Sequence, residues 1–138
     1  MEEANRRDAE NAEENLNALS GGIINAAIEV HQVLGPGLLE SIYEHALAHE
    51  LSLRGWKVVR QTEVPAQYKG LDLGAAYRLD LLVEDRVIVE IKAADSWQPI
   101  HTAQILTYLK LLDKRLGLLM NFNCKVMRDG IKRVVNNF

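Results

Sequence analysis

Apolar residues recur along this chain first at a helical period and then at a period of two. Leu19, Ile23, Ala27, Val30 and Leu34 fall three or four apart, which predicts a helix from Leu19 to Leu34 with Ser20 as its candidate cap. The run Gly35-Pro36-Gly37 stops it. A second helix is predicted from Leu38 to Arg54, burying Leu39, Ile42, Tyr43, Ala46, Leu47 and Leu51, and Gly55 supplies the left-handed residue that ends it. Trp56 to Arg60 and Glu63 to Tyr68 then read as strands, the second at a sheet edge because Pro65 has no amide to donate. Lys69-Gly70 reads as a turn, and Ala75 to Val83 with Val87 to Ala93 as the arms of a hairpin. Pro99 suits the first position of a helix carrying Ile100, Ala103, Thr107 and Leu111 to Asp113. The nearly unbroken apolar run Leu116 to Phe122 is expected to be a central strand buried on both faces. A turn at Arg128-Asp129-Gly130 returns Ile131 to Val135 to the sheet.

That order predicts one α/β domain with a mixed, largely antiparallel sheet flanked by helices, without repeats or a dividing linker. The 138 residues suffice to bury about 70% of the unfolded surface without a disulfide or metal staple. Cys124 is the only cysteine, so no internal disulfide forms, and a reducing cytoplasm is the expected setting. With no histidine close to it in sequence, Cys124 is expected to be a structural residue. No apolar run approaches the roughly 18 residues of a membrane span, and the first residues are acidic where a signal peptide is basic.

Charge is unevenly placed. The net value is −3, yet residues 1–15 carry six acids against Arg6 and Arg7, which leaves 13 acids and 14 bases beyond them. Residues 1–17 are therefore expected to be an acidic, frayed or disordered lead-in, and residues 18–138 the folded domain. A near-neutral domain neither demands nor excludes a polyanionic partner.

The hairpin carries the candidate chemistry. Pairing Val83 with Val87 sets Leu79, Leu81 and Val83 beside Ile91, Val89 and Val87 on one apolar face. The same register puts Asp80 opposite Glu90 on the other face, with Lys92 on that side too. Directly opposed side chains have Cβ atoms about 5 Å apart, and two anions so close repel unless a cation lies between them. Hard oxygen donors suit Mg²⁺, with Mn²⁺ as a substitute, and the lysine can orient a water molecule. From the hairpin alone a second reading stays open, a solvated strand face on which Lys92 simply pairs with one carboxylate.

An acid on one strand followed by Glu-x-Lys on the next, with a helix before and a helix after, resembles the PD-(D/E)XK nuclease superfamily. Its core order, αβββαβ, fits the elements above with an extra N-terminal helix, and implies a restriction-endonuclease-like fold. GLLESIY, Gly37 to Tyr43, matches the pattern that names the GxxExxY branch of that superfamily. The resemblance runs from about Ser20 onward through EVHQVLGPGLLESIYEHAL, RLDLLVEDRVIVEIKA, AQILTYLK and LGLLMNFN. The proline of the superfamily's name is absent, since Leu79 precedes Asp80.

The resemblance implies a Mg²⁺-dependent nuclease acting on DNA in preference to RNA. It implies Asp80, Glu90, the Ile91 carbonyl and Glu40 as metal ligands, and Lys92 as the group that positions water. Gln104 and Tyr108, four apart on one helical face, match a Gln-x-x-x-Tyr motif beside the site, and His101 can line the same cleft. Tyr43 is expected to pack, with its hydroxyl on a polar neighbour. A homodimer would suit cleavage of both strands. The rival function is a catalytically silent nuclease-fold module that binds nucleic acid or a protein partner. His45 and His49 could suggest zinc, but no further ligand completes a set, so they are expected to be exposed.

Overall fold

The computed structural model describes residues 2–136, with side chains from Arg6 onward. Among these residues the elements run α1 (Glu2–Leu34), α2 (Glu40–Leu53), β1 (Val58–Tyr68), β2 (Leu71–Val83), β3 (Val87–Lys92), α3 (Pro99–Leu112), β4 (Leu116–Asn121) and β5 (Ile131–Val135). A 3-10 turn, Met127–Gly130, leads into β5. The sheet has the order β1-β2-β3-β4-β5. Only β3 and β4 pair in parallel, and α3 makes the crossover between them, as a parallel connection requires.

Local chemistry sets the boundaries. Gly55, at φ 88°, follows α2. Pro99 occupies the first turn of α3, where its missing amide costs nothing. Asp113, in the left-handed region, ends that helix. Lys69 and Gly70 both have positive φ, the requirement of a two-residue hairpin turn. All six residues of β4 are buried, as expected of a strand covered on both faces.

Two cores result. Leu81, Val83, Val87, Val89 and Ile91 pack with Leu116, Leu118 and Met120 under α1 and α2, which contribute Ile23, Ala27, Tyr43, Leu47 and Leu51. Leu79, Leu82 and Ile88 join Val64 and Val134 beneath Ile105, Tyr108 and Leu109 of α3. Gly22 lets α1 seat on Trp56, because a Cβ there would lie 2.3 Å from the indole ring. The Tyr43 hydroxyl donates to the Gly35 carbonyl and accepts from the Leu38 amide, and its ring stacks on Phe122 at 4.5 Å.

Several expectations are corrected. α1 extends far upstream of Leu19, and Ser20 lies inside it with its hydroxyl on the Asn17 carbonyl. Residues 6–15 of that helix are exposed, and Leu16 is the first buried side chain. β1 is continuous rather than two strands, since Gln61 adopts φ 56° without breaking it. Leu39 and Ile42 are exposed, at 74% and 46%. α3 faces the sheet through Ile105, Tyr108 and Leu109, leaving Ile100 and Leu111 exposed. In both helices apolar residues occupy more than one face, so periodicity alone does not choose the buried one.

Candidate active site

The predicted hairpin register holds at Val83↔Val87, Leu82↔Ile88 and Leu81↔Val89, and there the ladder ends. Beyond it the strands separate, which is why Leu79 joins the α3 core instead of the face carrying Ile91. Backbone donors freed by such a split need partners. The amide of Asp80 donates to Glu90 Oε1 at 3.1 Å, and the amide of Ile91 donates to Asp80 Oδ2 at 2.7 Å. Each acid is thus anchored by the opposite strand.

Flanking elements close around the pair. The Tyr77 hydroxyl donates to Glu90 Oε2 at 3.3 Å, and its ring stacks on Tyr108 of α3 at 4.4 Å. From α2 the fold brings Glu44, not Glu40. Glu44 is buried, and it raises the Asp80 carboxyl. Arg60 Nη2 and Gln61 Nε2 hold Glu44 at 2.6 and 2.7 Å. Glu40, the first residue of α2, is exposed and makes no hydrogen bond or ion pair among the described residues. Gln104 is exposed, one turn from Tyr108. His101 is half-buried, and its Nδ1 has no partner among the described residues.

Burial, then the charge of Asp80, pushes the Glu90 carboxyl up to about 8. Burial also raises Asp80, to about 6, with Glu44 adding to the rise while the Ile91 amide and Lys92 oppose it. The Tyr77 and Tyr108 hydroxyls are raised too, first by burial and next by Glu90. The whole cluster is therefore short of positive charge. Lys92 is half-buried and forms no ion pair among the described residues, although its charge lowers both carboxyls.

A hard divalent cation fits this donor set. Two carboxylates whose ionised forms are disfavoured by burial, and for Glu90 also by the charge of Asp80, gain most from a cation between them. Among the described residues no group of three or more acidic, histidine or cysteine side chains is assembled around one point. Two carboxylates suffice for an ion that keeps several waters and takes further ligands from a substrate phosphate.

Sequence reasoning missed Glu44 and Tyr77. Glu44 lies one turn beyond Glu40, and the signal available was an acid on the Tyr43 side of α2, at a position that Tyr43, Leu47 and Leu51 mark as buried. The other reactive residue types gather nothing comparable. Cys124 Sγ lies 3.9 Å from His31 Nε2, but that nitrogen is engaged by the Cys124 carbonyl at 2.8 Å, and burial and Asp129 push the thiol up. His45 and His49 are exposed.

Among the described residues no helix is long and apolar enough to cross a membrane. Residues 17–134 match the family model of the PD-(D/E)XK nuclease superfamily. No curated protein and no solved structure matches the chain. The matched span takes in α2, the sheet up to Val134 of β5 and the acids at the split between β2 and β3. With a five-stranded mixed sheet between helices and an acid followed by Glu-x-Lys at its opening, this α/β chain belongs to the PD-(D/E)XK nuclease superfamily.

Proposed function

We propose that the protein hydrolyses phosphodiester bonds of nucleic acid, DNA before RNA, with Mg²⁺ as cofactor and Mn²⁺ as its substitute. The observation that carries this reading is the pair of half-buried Asp80 and buried Glu90, both raised and each anchored by the other's strand, with an unpaired Lys92 beside them. Asp80 and Glu90 hold the metal, with the Ile91 carbonyl as a further ligand. The helix acid is Glu44, through its effect on Asp80, rather than Glu40. A bound divalent ion supplies Lewis-acid activation of the phosphate and lowers the pKa of water.

The chain's own groups do the rest. Lys92 orients the attacking water and offsets negative charge that grows on the phosphate. Tyr77 fixes Glu90 Oε2, and Tyr108 fixes the Tyr77 ring. Gln104 contacts the substrate backbone from the exposed side of α3. GLLESIY at Gly37–Tyr43 supports assignment to the GxxExxY branch. The test is incubation of purified protein with linear, circular, branched and single-stranded nucleic acids in Mg²⁺ or Mn²⁺ against an EDTA control. Cleavage that requires the metal and disappears in Asp80→Asn is expected; binding without cleavage on every substrate would leave a silent nucleic-acid-binding module.

A further inference from the structure

Arg60 and Gln61 are neighbours on β1, and successive side chains of a regular strand point to opposite faces. Both nevertheless hold one carboxylate: Arg60 Nη2 donates to Glu44 Oε2 at 2.6 Å, and Gln61 Nε2 donates to Glu44 Oε1 at 2.7 Å. The backbone explains the coincidence. Gln61 has φ 56°, the left-handed region, which takes its side chain out of the regular alternation. A residue other than glycine enters that region at a cost. The other such residues among those described, Lys69, Glu84, Asp85 and Asp113, lie in turns or at a helix end, whereas Gln61 lies inside a strand.

The turn at Gln61 is matched on β2. Arg60↔Leu81 and Thr62↔Leu79 pair on either side of it, which sets Gln61 across from Asp80. Residues an even number apart share a face in a regular strand. Yet Leu81 packs under α1 and α2 while Leu79 packs under α3, and on β1 Val58 joins the first core while Val64 joins the second. Both strands therefore change face at one level, where β2 parts from β3 and Asp80 enters the candidate site. Folding alone gives Glu44 little reason to stand there, since it raises a carboxyl that burial already raises. Arg60 alone would answer its charge. The amide of Gln61, reached through a costly backbone conformation, adds orientation. Glycine would give the same backbone freely, but it could not reach Glu44.

We propose that Gln61 is a positioning residue of the candidate site: its left-handed backbone turns its amide onto Glu44 and, with Arg60, pins that carboxylate near Asp80, where it adds to the attraction for a divalent cation. Each oxygen of Glu44 has its own donor from β1, so the carboxylate is fixed in rotation as well as in place. Partners of this kind, one step removed from the ion, orient the groups that meet it. The inference rests on the metal-dependent reading of Asp80 and Glu90 and assigns the task of aligning the helix acid to β1.

The test is calorimetric titration with Mg²⁺, repeated with Mn²⁺, of the wild type, Gln61→Gly, Glu44→Gln and the double variant, each shown to be folded by a cooperative melt in EDTA. Gln61→Gly removes the amide without opposing the turn. Gln61→Asn, one methylene shorter and also tolerant of that conformation, takes its place if the glycine variant does not fold. Gln61→Gly should bind Mg²⁺ about tenfold or more less tightly, the usual cost of losing a partner one step from the ion. In the Glu44→Gln background the same change should cost less than about twofold, because a residue that acts through Glu44 has nothing left to position. Unchanged or tighter binding by Gln61→Gly overturns the inference. So does a loss of full size in the Glu44→Gln background, which would trace the effect to the β1 backbone instead of Glu44. A wild type that binds neither ion sinks the metal-dependent reading and this inference with it, whereas a wild type that binds and cleaves while Gln61→Gly binds equally well sinks the positioning role alone.

Discussion

The Ile91 amide donates to Asp80 Oδ2 at 2.7 Å, so the residue between Glu90 and Lys92 on β3 fixes the acid of β2. The reciprocal bond from the Asp80 amide to Glu90 Oε1 makes the split between the two strands an ordered site rather than a frayed end. Pre-positioning two acids this way costs electrostatic free energy, which appears as raised carboxyl pKa values.

That cost predicts an inverted pH dependence of stability. Both carboxyls are raised in the folded protein, to about 6 for Asp80 and about 8 for Glu90. A raised folded value favours the protonated form, so the stabilisation is complete below the unfolded value and is lost as pH climbs through the folded one. Without divalent ions the melting temperature should fall between about pH 5 and about pH 9. Mg²⁺ should stabilise most at the alkaline end, by about 2.7 kcal/mol at a hundredfold excess over Kd. Asp80→Asn with Glu90→Gln should flatten the profile and abolish the metal response. A metal-free melting temperature that rises across this window contradicts the raised carboxyls of Asp80 and Glu90.

The two glutamates of α2 should separate cleanly. Glu44→Ala leaves Arg60 and Gln61 without their acceptor, a loss of about 1–3 kcal/mol. Glu40→Ala, at an exposed position, should stay within about 0.5 kcal/mol. For activity the isosteric changes are better, since Glu44→Gln keeps the volume while removing the charge beside Asp80. Thermal melts and initial cleavage rates on Glu44→Gln and Glu40→Gln give the comparison. If Glu40→Gln abolishes cutting while Glu44→Gln leaves it intact, the helix acid is Glu40 after all.

What could be read without coordinates follows from the range of each interaction. Val83, Leu81, Val87 and Val89 betray their register because a one-residue slip would turn them to the wrong face. Pro99, Gly55 and Lys69-Gly70 betray element ends because their backbone preferences are local. Leu79 does not betray its change of face, which depends on β2 leaving β3 for α3. Gln61 holds a positive φ inside β1 while its side chain reaches Glu44, seventeen residues back. Contacts of that separation leave no periodic trace, so Tyr77 becomes visible only in the folded chain, and Glu44 is marked beforehand only by its place beside Tyr43, Leu47 and Leu51 on α2. The first half of α1 has no apolar stripe to announce a helix.

Removing residues 1–11 should change little. Side chains 6–11 are exposed, whereas farther along Arg86 Nη2 reaches the Ala12 carbonyl at 3.5 Å and Leu16 is the first buried side chain. The melting temperature should move by no more than a few degrees, the scale of about 1 kcal/mol or less for a domain of this size. Cleavage should be unchanged as well, because Arg86 marks the start of β3 and Lys92 its far end, about 17–20 Å away. A large loss of stability would show that the acidic segment docks on the fold, and faster cleavage would show that it shields the site.

Lys92→Ala separates chemistry from structure at the same site. The ammonium pulls both carboxyls down yet pairs with neither among the described residues, so no ion pair is broken by its removal. The melting temperature should therefore stay near that of the wild type, and the stabilisation by Mg²⁺ should persist because Asp80 and Glu90 remain. Cleavage should drop by on the order of a hundredfold to a thousandfold, the usual cost of losing one preorganised group that stabilises transition-state charge. A lysine that merely neutralised the acids would give the opposite pattern, with stability lost at neutral pH and regained on acidification as the carboxylates take up protons. Cleavage rate, metal response and melting temperature on this one variant therefore decide between the roles. Cutting at the wild-type rate by Lys92→Ala would falsify the mechanism, because no other free cation among the described residues stands beside both acids.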